Sequence, residues 1–92
     1  MFFYVYLIKT IKGFKNKSYV GFTNNIKSRL AKHNSNKGAK STKGYKWIVI
    51  YSKKFTNKSN AMSFEYKLKK NYHLRNKLKI KFNEKNKNFT RS

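Results

Sequence analysis

The spacing of apolar residues changes character several times along this chain of 92 residues. From Phe3 to Thr10 nearly every position is apolar. Alternation still sorts them, with Phe3, Val5 and Leu7 on one face of a strand and Tyr4, Tyr6 and Ile8 on the other. The run predicts a buried strand. Ile11 to Lys17, with Gly13, predicts a hairpin connection. A second strand at Ser18–Phe22 then sets Tyr19 and Gly21 opposite Val20 and Phe22, and Gly21 would let a backbone or a substrate come close. Thr23-Asn24-Asn25 offers side-chain oxygens to cap a helix from Ile26 to His33 or Asn34. Residues 34–44 are rich in Asn, Ser, Gly and Lys and predict a loop. The β-branched and aromatic run Trp47–Tyr51 predicts a third strand. Turn residues at 57–60 precede a helix over Ala61–Lys70 and a weaker one over His73–Phe82. The expected fold is α+β: a short three-stranded antiparallel sheet flanked by helices, in the order strand, strand, helix, strand, helix, helix. One domain should occupy 1–82, leaving 83–92 as a basic, polar, frayed tail.

Charge narrows the function. Twenty-four Lys and Arg face two acidic residues, a formal net charge of +22. Such a field draws polyanions, which makes nucleic acid the default partner and anionic lipid the alternative. Lys, Asn, Ile, Tyr and Phe are abundant together, as an AT-rich genome would also produce, so drift can account for part of the lysine excess. Cysteine is absent, which excludes disulfides and cysteine-based zinc sites. The apolar N-terminal run is far shorter than the ~20 residues of a membrane span and lacks signal-peptide flanks. An intracellular protein is therefore expected, of the cytoplasm or nucleoid, with an organelle as the alternative. No P-loop or dinucleotide fingerprint occurs, so no small-molecule cofactor is expected.

A few residues stand out from this lysine-rich background. Ala61, Phe64, Leu68 and Tyr72 make the apolar stripe of their helix, and Glu65 falls only ~40° from Ala61. A carboxylate beside a core needs a cation, a metal or hydrogen-bond donors. The plain alternative is a surface pair with Lys69, one turn on. Glu84, the other acidic residue, lies in the expected tail. Arg29 and His33, four apart, share a face of the first helix; the guanidinium can fork onto a phosphate as ammonium cannot. Tyr6 and Tyr19 sit on strands that should pair. Should their hydroxyls converge near Arg29, the positive surroundings would lower their pKa from about 10 and suit them to general-base work. Lys37, Lys40 and Thr42 belong to a flexible loop of cations and hydroxyls, a composition that suits phosphate contact.

In order and spacing, these positions resemble the GIY-YIG nuclease family over about residues 3–70. Tyr4-Val5-Tyr6 resembles its first motif and Tyr19-Val20-Gly21 its second, about a dozen residues apart. Arg29 stands ten residues after Tyr19, as the family's arginine does. His33 takes the His-or-Tyr place one turn later, and Glu65 matches the metal-binding glutamate. Ile26–Asn34 and Lys37–Thr42 resemble the small stand-alone bacterial members. Val5 and Val20 replace the middle isoleucines, and Tyr4 stands where the motif has glycine. A late polar residue of the family has no firm counterpart, Asn76 being at a plausible distance. The family also includes the incision domain of bacterial excision-repair nucleases and the catalytic module of some homing endonucleases. The resemblance implies hydrolysis of DNA phosphodiesters, in repair or recombination, with one Mg²⁺ or Mn²⁺ on Glu65. Arg29 would stabilise phosphate charge, and Tyr6, Tyr19 or His33 would activate water. Lys37, Lys40 and Thr42 would hold the backbone. A non-catalytic nucleic-acid-binding protein is the competing reading.

Overall fold

The structure is a computed structural model that describes residues 1–91, with side chains through Lys85. Strands β1 (Phe3–Thr10), β2 (Ser18–Thr23) and β3 (Trp47–Phe55) form one antiparallel sheet in the order β2-β1-β3. Helix α1 (Ile26–Asn34) and a single 3-10 turn at Lys40–Thr42 separate β2 from β3. Helices α2 (Lys58–Lys70) and α3 (Tyr72–Arg91) follow.

Because β1 is central, its two apolar faces feed two cores. Val5 and Leu7 join Val20, Ala61 and Leu68 beneath α2 and α3, with Phe3, Phe22, Phe64, Leu74 and Leu78 around them. Tyr6, Ile8 and Trp47 form the opposite core, against Leu30 of α1, Tyr19 and Val49. The alternation predicted for β1 is thus the observed division of the molecule into three layers. A register shift between Leu7 and Ile8 leaves Ile50 as an extra residue of β3, and Ile50 and Tyr51 both turn toward the first core.

The expected boundaries shift where polar residues conceal regular structure. β3 runs on to Phe55, with Ser52, Lys53 and Lys54 paired to Tyr6, Val5 and Tyr4; exposed lysines on an edge strand discourage further pairing. α2 starts at Lys58 because the Asn57 side chain accepts the Asn60 N–H. α3 begins directly after α2. Asn71 ends α2 and its side chain accepts the Leu74 N–H at 2.9 Å, so one residue serves both helices. α3 continues to Arg91 with no break at residues 82–83. Lys9 Nζ donates to Asn83 Oδ1 at 2.8 Å and lies over the Phe82 ring, tying this part of α3 to the sheet. What was expected of Ser92 falls outside the described residues.

Candidate active site

The pairing of β1 with β2 sets the two tyrosines together. Tyr6 is opposite Gly21 and Ile8 opposite Tyr19, so Tyr6 and Tyr19 are diagonal neighbours on one face, ring centroids 6.5 Å apart. A Cβ on Gly21 would stand 2.2 Å from both Cζ and Oη of Tyr6. The absent side chain is therefore the space through which the phenol crosses the edge strand. The expected close approach at Gly21 is real, and the group that makes it is Tyr6.

Helix α1 is aimed by its ends. The Asn25 side chain accepts the Ser28 N–H at its start. At its finish, Asn34 donates to the Trp47 carbonyl and accepts the Trp47 N–H, a side-chain amide standing in for a strand partner at the start of β3. This fixes Arg29 and His33 over the tyrosines. The guanidinium, half-buried, lies close enough to the Tyr6 phenol, and to Tyr19, for their interaction to hold its pKa above the usual value. His33 has no exposed surface. Its Nε2 lies 2.8 Å from Tyr6 Oη and its Nδ1 3.0 Å from Thr42 Oγ1.

Proton positions along this chain follow from counting donors. Thr42 gives its only hydroxyl proton to the Ala39 carbonyl at 2.7 Å, so it must accept from His33 Nδ1–H. Burial, then the Arg29 charge, lower the His33 pKa from 6.5 and keep the ring neutral. Nε2 is then bare, and Tyr6 O–H donates to it. This tautomer is assigned by the hydrogen-bond network. A Cβ on Gly38 would approach His33 Nδ1 to 2.4 Å, so the loop can fold against the ring only with glycine there.

Three expectations are corrected. Thr42 is fully buried, with its hydroxyl spent on His33 and the Ala39 carbonyl; it positions His33, and its carbonyl accepts from Trp47 Nε1. His33 has both nitrogens engaged and no exposed atom, so it reaches bulk water or substrate only through Tyr6. The Tyr6 phenol is not tuned toward phenolate: burial raises its pKa, outweighing the hydrogen bond and charge of Arg29, while Tyr19 and Glu65 add to the rise. Lys37 and Lys40 are exposed.

Glu65 comes from the other layer. Ala61 and Leu68 seat α2 on the sheet, and Glu65, half-buried between them, is close enough for its charge to act on Tyr6. The phenol of Tyr6 thus interacts with Arg29, Tyr19 and Glu65, which three separate elements deliver. The described residues contain no group of three or more His, Cys, Asp or Glu able to hold a metal. Glu65 is the carboxylate a divalent cation would find here. One half-buried carboxylate suits Mg²⁺ or Mn²⁺, whose other positions go to waters and phosphate oxygens. Asn76 lines a different recess, beside Lys9 and Lys79. Asn34, Gly38 and the Ala39 carbonyl were not singled out from the sequence. An amide at a helix end, just before a glycine-containing loop, was the available signal for the first.

The buried His33 makes a pH test possible. Unfolded, it titrates near 6.5; folded, lower. Below about pH 6.5 the unfolded chain binds more protons, so stability falls with pH until the folded-state pKa is passed. Thermal melts from pH 7.5 to 5 should show Tm falling in the wild type and nearly level in His33→Gln. Parallel slopes would contradict the burial argument.

The GIY-YIG catalytic domain family matches residues 2–79. The chain is 43% identical over 67 residues to UPF0213 protein SH2523 of Staphylococcus haemolyticus, covering 72% of this chain and 78% of that one. It is 46% identical over 68 residues to UPF0213 protein OB0043 of Oceanobacillus iheyensis, covering 72% and 74%. The solution NMR structure of UPF0213 protein BH0048 from Bacillus halodurans matches with 30% identity and a TM-score of 0.48, over 88% of this chain and 84% of that one. No described helix is long and apolar enough to cross a membrane. With its two strand motifs, helix arginine and following glutamate in one fold, this chain belongs to the GIY-YIG nuclease family.

Proposed function

We propose that this protein is a metal-dependent endonuclease that hydrolyses DNA phosphodiester bonds. The observation that carries the reading is the meeting of Tyr6, Tyr19, Arg29 and Glu65 around one phenol, in a chain whose charge favours polyanions. Arg29 binds the non-bridging oxygens of the scissile phosphate and stabilises the charge that grows on them. Tyr6 orients the attacking water. As the water oxygen bonds to phosphorus, its proton passes to Tyr6 Oη, whose own proton moves to His33 Nε2; the bond to the leaving oxygen breaks, and that oxygen keeps the bonding electrons and takes a proton from solvent water. A raised phenol pKa fits this concerted transfer, because Tyr6 keeps its proton until His33 accepts it. Tyr19 helps place the phosphate. A divalent cation held by Glu65 would supply Lewis-acid stabilisation of phosphate charge. Exposed Lys37 and Lys40 hold the strand. Repair or recombination would be a natural setting.

The test is a panel of end-labelled duplex, flapped, branched and single-stranded DNA, incubated with Mg²⁺ or with EDTA. At least one member should be cut, in Mg²⁺ only, and Arg29→Ala should slow the cut by about 10²–10³-fold. DNA binding without any cut would leave the non-catalytic reading in its place.

A further inference from the structure

The molecule gathers cations at a second place that the proposed chemistry does not use. Between the β1–β2 hairpin and α3 lies a cleft of about 410 Å³, lined among others by Lys9, Thr10, Asn16, Asn76, Lys79 and Asn83. No acidic residue lines it. Lys9 is half-buried and pinned, its ammonium on Asn83 Oδ1 and over Phe82. Lys79 is half-buried as well; burial first, and then the charges of Arg75 and Lys9 nearby, lower its pKa. Free surface lysines swing apart into water, where salt screens their repulsion beyond about 8–10 Å. Here packing holds them together with no counter-charge, a mutual repulsion that a bound anion would reverse. The asparagine amides supply neutral donors for the same oxygens.

A second recess lies on the way to the candidate active site: Lys9 pairs with Ser18, and Ser18, Tyr19 and Val20 line that recess with Lys69 and Arg75. Tyr19 belongs to the catalytic cluster, and Lys69 stands one helical turn beyond Glu65. Cations therefore run from the cluster along the edge strand to the cleft.

We propose that the cleft between the hairpin and α3 is a second phosphate-binding site, where Lys9 and Lys79 take a backbone phosphodiester of the bound nucleic acid away from the cut. The assignment rests on nucleic acid being the ligand of this protein. By holding the strand at a second point, the site fixes the direction in which it crosses Tyr19 and Arg29.

The experiment compares the affinity of wild type, Lys9→Gln/Lys79→Gln, Lys9→Arg/Lys79→Arg and Lys27→Gln/Lys81→Gln for a fluorescently labelled DNA duplex in EDTA, across a salt series. Lys27 and Lys81 are exposed and lie outside the cleft. The first glutamine pair should bind about tenfold more weakly, with a salt slope smaller by about one to two. The arginine pair should match wild type, and the outer pair should change by less than about threefold. Equal losses in both glutamine pairs would mean a diffuse lysine coat and would overturn the site. Inorganic phosphate, titrated by NMR, should shift the Lys9, Asn76 and Lys79 amides. Such shifts beside an unchanged DNA affinity in Lys9→Gln/Lys79→Gln would assign the cleft to free phosphate and overturn the nucleic-acid source. A wild type that binds no DNA would remove the functional reading itself, a result distinct from either.

Discussion

Glu65→Ala is expected to reduce Mg²⁺-dependent cleavage by about 10³-fold or more while leaving DNA affinity in EDTA unchanged or slightly higher. The asymmetry follows from charge. Without metal, Glu65 is a negative group facing a polyanion, so its removal cannot weaken binding electrostatically. With metal, it is the proposed ligand, and its charge already acts on the Tyr6 phenol. The fold should tolerate the change, since alanine suits a helix interior and Ala61 and Leu68 keep α2 seated. Glu84, exposed on α3, is the matched control, and Glu84→Ala should cleave at the wild-type rate. Initial rates in Mg²⁺ and anisotropy in EDTA give both readouts. Cleavage by Glu65→Ala within tenfold of wild type would remove the carboxylate from the mechanism.

Gly21→Ala is expected to destabilise the fold by about 2–6 kcal/mol and to cut the cleavage rate by at least ~10²-fold. The added Cβ would lie 2.2 Å from Tyr6 Cζ and Oη, inside any permitted contact. Tyr6 has nowhere to retreat, being 2% exposed and tied to His33. Overpacking of this kind costs about 1–3 kcal/mol. If the ring turns away, the buried Nε2 of His33 loses its partner, at a further ~1–3 kcal/mol. A double-mutant cycle separates this clash from a general strand effect. In a Tyr6→Ala background the clash is gone, so Gly21→Ala should then cost under about 1 kcal/mol by urea unfolding. An equal cost in both backgrounds would show that the glycine serves the backbone and not the ring.

The readable parts of the sequence were those where one side chain meets a periodic neighbour. Alternation from Phe3 to Ile8 defined both faces of β1, and helical spacing placed Glu65 beside Ala61 and Arg29 with His33. What escaped was whatever depends on who lies across a gap in the chain. Thr42 has the composition of a phosphate loop, yet nine residues earlier sits the imidazole that claims its hydroxyl. The sign of the Tyr6 shift was misjudged for a related reason: Arg29 was visible, and the depth of the second core was not. Lys53, Lys54 and residues 83–85 were too polar to announce a strand end and a helix, because each makes its regular backbone bonds with the charged face turned outward.

The junction at Asn71 has a mechanical corollary. Since that single amide closes α2 and opens α3, with the Arg75 guanidinium bonded to the final carbonyls of α2, there is no slack segment between the two rods. They behave as one bracket, carrying Glu65 on one arm and Lys79 on the other. Any tilt of the outer arm is delivered to the carboxylate as a displacement, without a flexible element to absorb it.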